Sequence, residues 1–242
     1  MMTGTRSPTT VSAIAWAGAL VFAGAMGWFL YCYAIRFGDV APAGPVLTPV
    51  LANTALFSVF ALHHSLLART RAKAVVRRYA PAELERSLYT WVASLLFIGV
   101  CAVWLPVPGI LYRLEGGWAL AGYAVQAAGL VLTVKSAAAV DALDLAGVRP
   151  VLTAAHGAKP RHVPLETGGL YAFVRHPLYF AWVLLVFGAP VMTATRATFA
   201  IASTAYLALA IPWEERSLID LFGEQYEEYR RQVRWRMIPG IY

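Results

Sequence analysis

Thr167-Gly168-Gly169-Leu170-Tyr171-Ala172-Phe173-Val174-Arg175-His176-Pro177-Leu178-Tyr179-Phe180-Ala181-Trp182 is the stretch around which the chain is organised. A polar, glycine-bearing loop ends at Arg175-His176-Pro177, and a long apolar run begins at Leu178. Proline suits the first turn of a helix, where its missing N–H has no bond to make. The spacing therefore predicts Arg175 and His176 at the mouth of a membrane helix, beside backbone N–H groups without an intrahelical partner. Working outward, Glu214-Glu215-Arg216 ends the next apolar run. Two adjacent runs place both polar clusters at one membrane face.

The composition agrees with that reading. The chain has 242 residues, of which 59% are hydrophobic and only 14% charged. Its mean hydropathy is +0.59, as for a polytopic membrane protein. The net charge of +7 needs no nucleic acid, because excess Lys and Arg in cytoplasmic connections accounts for it. Cys32 and Cys101 both fall in apolar runs, so neither a disulfide framework nor a thiolate metal site is expected. The polar start up to Thr10 runs into a span-length apolar segment, which reads as a first helix rather than a signal peptide.

A helix needs roughly 20 apolar residues to cross the hydrocarbon core. Six segments qualify or nearly do: 11–35, 46–67, 88–112, 118–140, 178–194 and 196–213. Thr193, Thr195 and Arg196 read as a tight turn between the last two, and Pro106 and Pro108 kink or end the third. The expected fold is all-α, a polytopic helical membrane protein of about six transmembrane helices. It forms one integral-membrane domain, with a four-span scaffold over 11–140 and a functional core over 141–242. The connection 68–87 carries Arg69, Arg71, Lys73, Arg77, Arg78 and Arg86 against Glu83 and Glu85. It is therefore assigned to the cytoplasm, with both termini, the loop 141–177 and the tail. The protein is therefore expected to be integral to a membrane, with its functional face in the cytoplasm. In the tail, Leu218, Phe222, Tyr226, Tyr229 and Val233 share one helical face. This predicts a cytoplasmic C-terminal amphipathic helix, interrupted at Gly223.

Weighed singly, the polar residues say less. Arginine near a cytoplasmic helix end is an ordinary topology anchor, whereas the paired carboxylates Glu214-Glu215 call for a cationic partner or ligand. His63 and His64 are neighbours on a helix and point about 100° apart, so they make a poor metal pair and a better polar interhelical contact. No metal site is assigned. Lys135 is costly facing lipid and should snorkel or pair, with Asp141 and Asp144 as local candidates.

Together, Gly169-Leu170-Tyr171, Arg175-His176-Pro177-Leu178-Tyr179, Glu214-Glu215-Arg216 and Phe222-Gly223-Glu224-Gln225-Tyr226-Glu227-Glu228-Tyr229 resemble the isoprenylcysteine carboxyl methyltransferase and phospholipid methyltransferase superfamily. The likeness covers residues 166–242. More loosely, Phe60-Ala61-Leu62-His63-His64-Ser65, Glu85-Arg86-Ser87-Leu88-Tyr89 and Asp144-Leu145-Ala146-Gly147-Val148-Arg149 resemble the bacterial branch with NnrU-type and methanethiol S-methyltransferase proteins.

The resemblance implies an S-adenosylmethionine-dependent methyltransferase whose donor pocket is made by the last two spans and the tail. By that likeness His176, Pro177, Tyr179, Glu214 and Glu215 bind the donor. Gly169, Leu170 and Tyr171 wall the pocket, and Tyr226 and Tyr229 close it. Arg175, His176 and Glu215 are the catalytic candidates. The residue types suit the donor's chemistry: carboxylates for its amine or ribose hydroxyls, Arg175 and His176 for its carboxylate, and faces of Tyr179, Trp182 or Trp213 for its sulfonium. The tail lacks the family's Arg-Val-Pro, which moves a basic residue used towards the acceptor to Arg231 or Arg234. The acceptor is a small or lipid-like molecule: a thiol, an isoprenoid-like carboxylate or a lipid amine. No nucleic acid and no obligate protein partner is expected beside the bilayer. The competing expectation is a non-catalytic transporter, or a redox or haem-associated membrane protein, using His63, His64 and Lys135 as a polar path.

Overall fold

The computed structural model describes residues 8–67, 81–158 and 164–242. Arg69, Arg71, Lys73, Arg77 and Arg78, five of the residues behind the charge argument, lie outside the described residues. Helices α1 (Pro8–Ala34), α2 (Leu47–Leu67) and α3 (Glu85–Val103) precede strand β1 (Ile110–Arg113). Helix α4 (Gly116–Ala139) and two short helices, α5 (Ala142–Leu145) and α6 (Arg149–Ala155), follow. The chain ends with α7 (Pro177–Phe187), strand β2 (Val191–Thr193), α8 (Ala194–Phe222) and α9 (Glu224–Gln232).

Among the described residues, four helical segments are long and apolar enough to cross a membrane: Thr9–Gly38, Ala82–Val103, Gly116–Ala139 and Ala194–Phe222. Leu20, Trp118, Leu120 and Leu209 are exposed on them, as lipid-facing side chains are. The protein is a helical integral-membrane protein.

Three expected boundaries shift, and each shift has a local cause. The segment expected over 88–112 is helical only to Val103. Pro106 and Pro108 have no N–H to continue the ladder, and Val107 N donates to Thr195 Oγ1 at 2.9 Å. Residues 110–113 then form β1, antiparallel to β2, a small sheet in a fold expected to be all-α. The segment expected over 178–194 is helical for 11 residues, to Phe187. At 1.5 Å per residue that is about 16 Å, half of the ~30 Å hydrocarbon thickness. The segment expected over 196–213 runs on to Phe222, so Glu214, Glu215 and Arg216 lie within α8 rather than after it. Gly223, at φ 56, separates α8 from α9, as expected of the break in the tail.

The chain divides into two compact units, each assembled from three stretches. The first takes residues 1–32, 58–104 and 141–162. Its core joins Val11 and Ala15 to Leu84, Ala146, Val148 and Val151. Asp141 caps α5 through the amides of Leu143 and Asp144, and its carboxylate holds Arg149 at 2.7 and 3.1 Å. Asp144 pairs with Arg86 at 2.8 Å. Both aspartates thus serve arginines rather than Lys135, which is exposed on the last turns of α4. His64 makes the expected polar interhelical contact, Nδ1 to Tyr89 Oη at 2.7 Å.

The second unit takes residues 33–57, 105–140 and 163–242. Phe199 is its aromatic centre, packed by Tyr33, Phe37, Phe57 and Trp182. Helix α4 lies against α7 at two glycines. A Cβ on Gly129 would stand 2.6 Å from Leu185 N, and one on Gly122 would stand 2.9 Å from Gly188 O. Arg196, in the first turn of α8, gives its guanidinium to the carbonyls of Tyr33 (2.9 Å), Ala34 (2.7 Å) and Val191 (2.7 Å). Thr193 caps the same helix, accepting from Arg196 N at 3.1 Å while its hydroxyl donates to the Phe37 carbonyl. These ties fix the far end of α8. The site lies at its other end.

Candidate active site

Pro177 opens α7, and the two residues before it are extended enough to pair with the tail: Arg175 N donates to Trp235 O at 2.9 Å, and His176 N to Arg236 O at 2.8 Å. These two amides precede the helix; of the helix's own first amides, Tyr179 N and Phe180 N both bond His176 O at 3.1 Å. The Arg175 side chain turns inward, 8% exposed. Its Nε meets Glu215 Oε1 at 2.6 Å, and its Nη1 donates to the carbonyls of Val233 (2.6 Å) and Arg234 (3.0 Å). One guanidinium thus fastens α7, α8 and the tail.

Glu214 and Glu215 are successive on α8, so their side chains diverge by about 100°. Glu215 points in and its side chain is 4% exposed; Glu214 points out, 44% exposed. His176 bridges the two directions, with Nδ1 3.7 Å from Glu214 Oε2 and Nε2 3.6 Å from Glu215 Oε1. Tyr179 stacks on the His176 ring with centroids 5.3 Å apart, and donates from Oη to Glu214 Oε2 at 2.6 Å. Three more cations complete the setting. Arg236 Nε and Arg230 Nε stand 3.5 and 3.9 Å from Glu215 Oε2, and Arg216 lines the same space. A cavity of about 260 Å³ opens here between Pro212, Glu215, Arg216, Ile219, Arg230 and Arg236.

Tyr226 and Tyr229 are buried with Val233 against Leu165, Tyr171, Leu218, Ile219 and Phe222. Tyr229 Oη donates to Tyr171 O at 2.7 Å, which ties α9 to the turn Gly169–Ala172, entered at φ 55 by Gly169. Burial pushes the Tyr226 and Tyr229 phenols well above the ordinary tyrosine value, and the Tyr171 phenol up to about 12.

The structure thus gathers Arg175, His176, Tyr179, Glu214 and Glu215 into one bonded group, with Pro177 at its base. Tyr226 and Tyr229 pack against Ile219, which also lines the cavity, and Gly169, Leu170 and Tyr171 form the turn tied to α9. Trp182 is directed elsewhere, its Nε1 donating to Ser203 Oγ at 3.0 Å, and Trp213 is 59% exposed. Arg231 pairs with Glu224 and Glu228 on the outer face of α9, and Arg234 lies over Trp235. The cations facing Glu215 are instead Arg230 and Arg236. Arg230 was readable: it follows Tyr226 by four residues, and i and i+4 share a helix face. Arg236 lies beyond α9, where helical periodicity says nothing.

The group's chemistry can be tested against S-adenosylmethionine. Tyr226 Oη and His176 Nε2 are buried without a hydrogen-bond partner among the described residues. Buried polar atoms in that state are uncommon and await a partner. A ligand with both a carboxylate and an ammonium finds three arginines and an outward carboxylate here. The residues fit.

Residues 151–220 match the family model described as the isoprenylcysteine carboxyl methyltransferase (ICMT) family. A methanethiol S-methyltransferase of Bradyrhizobium diazoefficiens is 34% identical over 195 residues, which is 80% of this chain and 74% of that one. The chain belongs to the ICMT family. Another family relative, the methanethiol S-methyltransferase of Mycobacterium tuberculosis, is 33% identical over 90% of this chain and 91% of its own. A protein-S-isoprenylcysteine O-methyltransferase of Dictyostelium discoideum is 34% identical over 42% of this chain and 43% of its own. No solved structure matches. As an ICMT-family protein, the chain is a membrane methyltransferase. The family-model match contains Arg175, His176, Glu214 and Glu215 and ends before Tyr226.

Proposed function

We propose that this ICMT-family enzyme methylates a small thiol, using S-adenosylmethionine as donor, at the cytoplasmic face of a bacterial inner membrane. The observation that carries the reading is Glu215: a buried carboxylate ringed by Arg175, Arg230, Arg236 and His176 at the wall of an open cavity. When bound, the donor supplies a methyl group on a sulfonium, which moves by in-line displacement. Arg216, Arg230 and Arg236 take its carboxylate, and Glu214, the outward member of the pair, takes its ammonium or ribose hydroxyls. The ring of Tyr179, fixed by the stack on His176, offers a face to the sulfonium. A thiol reacts as thiolate. His176, whose ring nitrogens stand 3.7 and 3.6 Å from Glu214 and Glu215, is assigned to receive the thiol proton. Burial of Arg175, His176 and Glu215 excludes water, and rigid ties to the tail hold the geometry.

The thiol is favoured over a prenylated carboxylate by extent. The thiol methyltransferase relatives align over 80 to 90% of this chain, the isoprenylcysteine relative over 42%. The basic connection 68–87 supports a cytoplasmic site and cytoplasmic termini. Helices α2 and α7 supply the fifth and sixth membrane segments, and residues 141–242 the donor-binding core. α9 lies at the cytoplasmic surface.

The test is methyl transfer from labelled donor to methanethiol, a prenylated cysteine acid and an amino lipid by purified protein. Transfer to the thiol, reduced at least 100-fold by Glu215→Gln, is the expected result. Protein that neither binds S-adenosylhomocysteine nor labels any of the three refutes the reading.

A further inference from the structure

Pro212 lies inside α8 and has no N–H to donate. The carbonyl that such an N–H serves is four residues back, on Ala208. Its donor comes from elsewhere in the chain: Tyr242 Oη donates to Ala208 O at 3.1 Å. The Tyr242 hydroxyl in turn accepts from Arg236 Nη1 at 3.0 Å, and the Arg236 guanidinium lies over the Tyr242 ring, 5.2 Å from its centroid. A tyrosine hydroxyl has one proton to give and lone pairs to receive, so the two bonds do not compete. From this seat Arg236 Nε reaches Glu215 Oε2 at 3.5 Å, and Arg236 and Pro212 both line the cavity.

We propose that Tyr242 is a positioning residue for the cavity's arginine: its hydroxyl fills the notch that Pro212 leaves in α8 and so holds Arg236 towards Glu215. Pro212 thereby acquires a role beyond bending a helix. It frees one carbonyl, and that carbonyl selects where the end of the tail docks. The arginine is set before a ligand arrives, so ordering a long, flexible side chain is no part of the binding step. The positioning role rests on the cavity being the donor site; the seat on Ala208 does not.

The test uses the full chain in detergent with Tyr242→Phe, Pro212→Ala, Arg236→Ala and the double variants, and two readouts. The first is melting temperature without ligand. Pro212→Ala returns an N–H to the Ala208 carbonyl but leaves the Arg236 bond to the hydroxyl, so Tyr242→Phe should lower the melting temperature clearly more in the wild-type background than in the Pro212→Ala background. The second is the Kd of S-adenosylhomocysteine. Tyr242→Phe should weaken it about tenfold, the loss of one bond to a charged group. The turnover of saturated enzyme should stay close to wild type, and Tyr242→Phe should add no further loss in the Arg236→Ala background. Equal melting shifts in both backgrounds overturn the seat. An unchanged Kd for Tyr242→Phe, or an additional loss on Arg236→Ala, overturns the positioning role. Wild-type protein that binds no S-adenosylhomocysteine sinks the donor reading and the positioning role together, while the melting cycle still decides the seat.

Discussion

Arg175 donates in three directions, to one carboxylate and two backbone carbonyls. Lysine is a point charge without that planar fork and cannot reproduce it. Arg175→Lys should therefore destabilise the protein by about 2–4 kcal/mol, because Glu215 keeps a poorer partner and one tail carbonyl keeps none. Thermal unfolding in detergent measures this, and activity should fall with it. Tyr226 gives the opposite case. Its hydroxyl is buried and without a hydrogen-bond partner among the described residues, so Tyr226→Phe should be neutral or slightly stabilising without ligand and should weaken donor binding several-fold. At this scale, sequence showed which residue types meet and missed how they divide the work. Arg175-His176 and Glu214-Glu215 were visible as charges at one face. That Arg175 turns inward, and that one glutamate is buried while its neighbour stays wet, follows from helix phase and from tail carbonyls 58 and 59 residues away, which no local pattern carries.

Among the elements, the α4–α7 contact decides how firmly the site's helix is held. Gly129→Ala places a Cβ 2.6 Å from the backbone nitrogen of Leu185, which cannot rotate aside as a side chain can. The expected cost is about 1–3 kcal/mol, read as a lower melting temperature with lower methyl transfer, since α7 carries His176 and Tyr179 at its mouth. The tail has its own signature. Burial holds the Tyr226 and Tyr229 phenols above the ordinary value near 10 and Tyr171 at about 12. Folded values above unfolded ones mean that this stability is complete below pH 10 and is lost as pH rises through the folded values. Melting temperature recorded from pH 8 to 11.5 should be flat from this source and then fall above pH 10, with a shallower fall in Tyr226→Phe. The long helices α1 and α4 were legible because hydropathy and length suffice for them. The end of α3 was announced by Pro106 and Pro108, but the end of α7 at Phe187 was not, since the backbone leaves the helix there for partners that other elements, not sequence neighbours, supply.

For the whole molecule, the positive-inside reading puts the cavity and the tail on the cytoplasmic side. A reporter active only outside the cytoplasm should be silent when joined after Tyr242 and active when inserted at residues 40–45. The reverse pattern would invert the proposed topology and remove the cytoplasmic donor supply. Family membership was readable from four short motifs in the last third of the chain. The division into two units, each drawn from three separated stretches, was not, because hydropathy reports burial in lipid and protein alike and so conceals which helices pair.

One tie bears on how the chain is made. The guanidinium of Arg196 covers the carbonyls of Tyr33 and Ala34 at the end of α1, 163 and 162 residues earlier in the sequence. A ribosome releases the first helix long before it reaches the residue that seals it. Until Arg196 is synthesised, those carbonyls must be met by water or by the insertion machinery. The first helix is therefore finished late, by a residue far along the chain. A chain interrupted before residue 196 should remain a substrate for membrane proteolysis, however well its early helices have entered the bilayer.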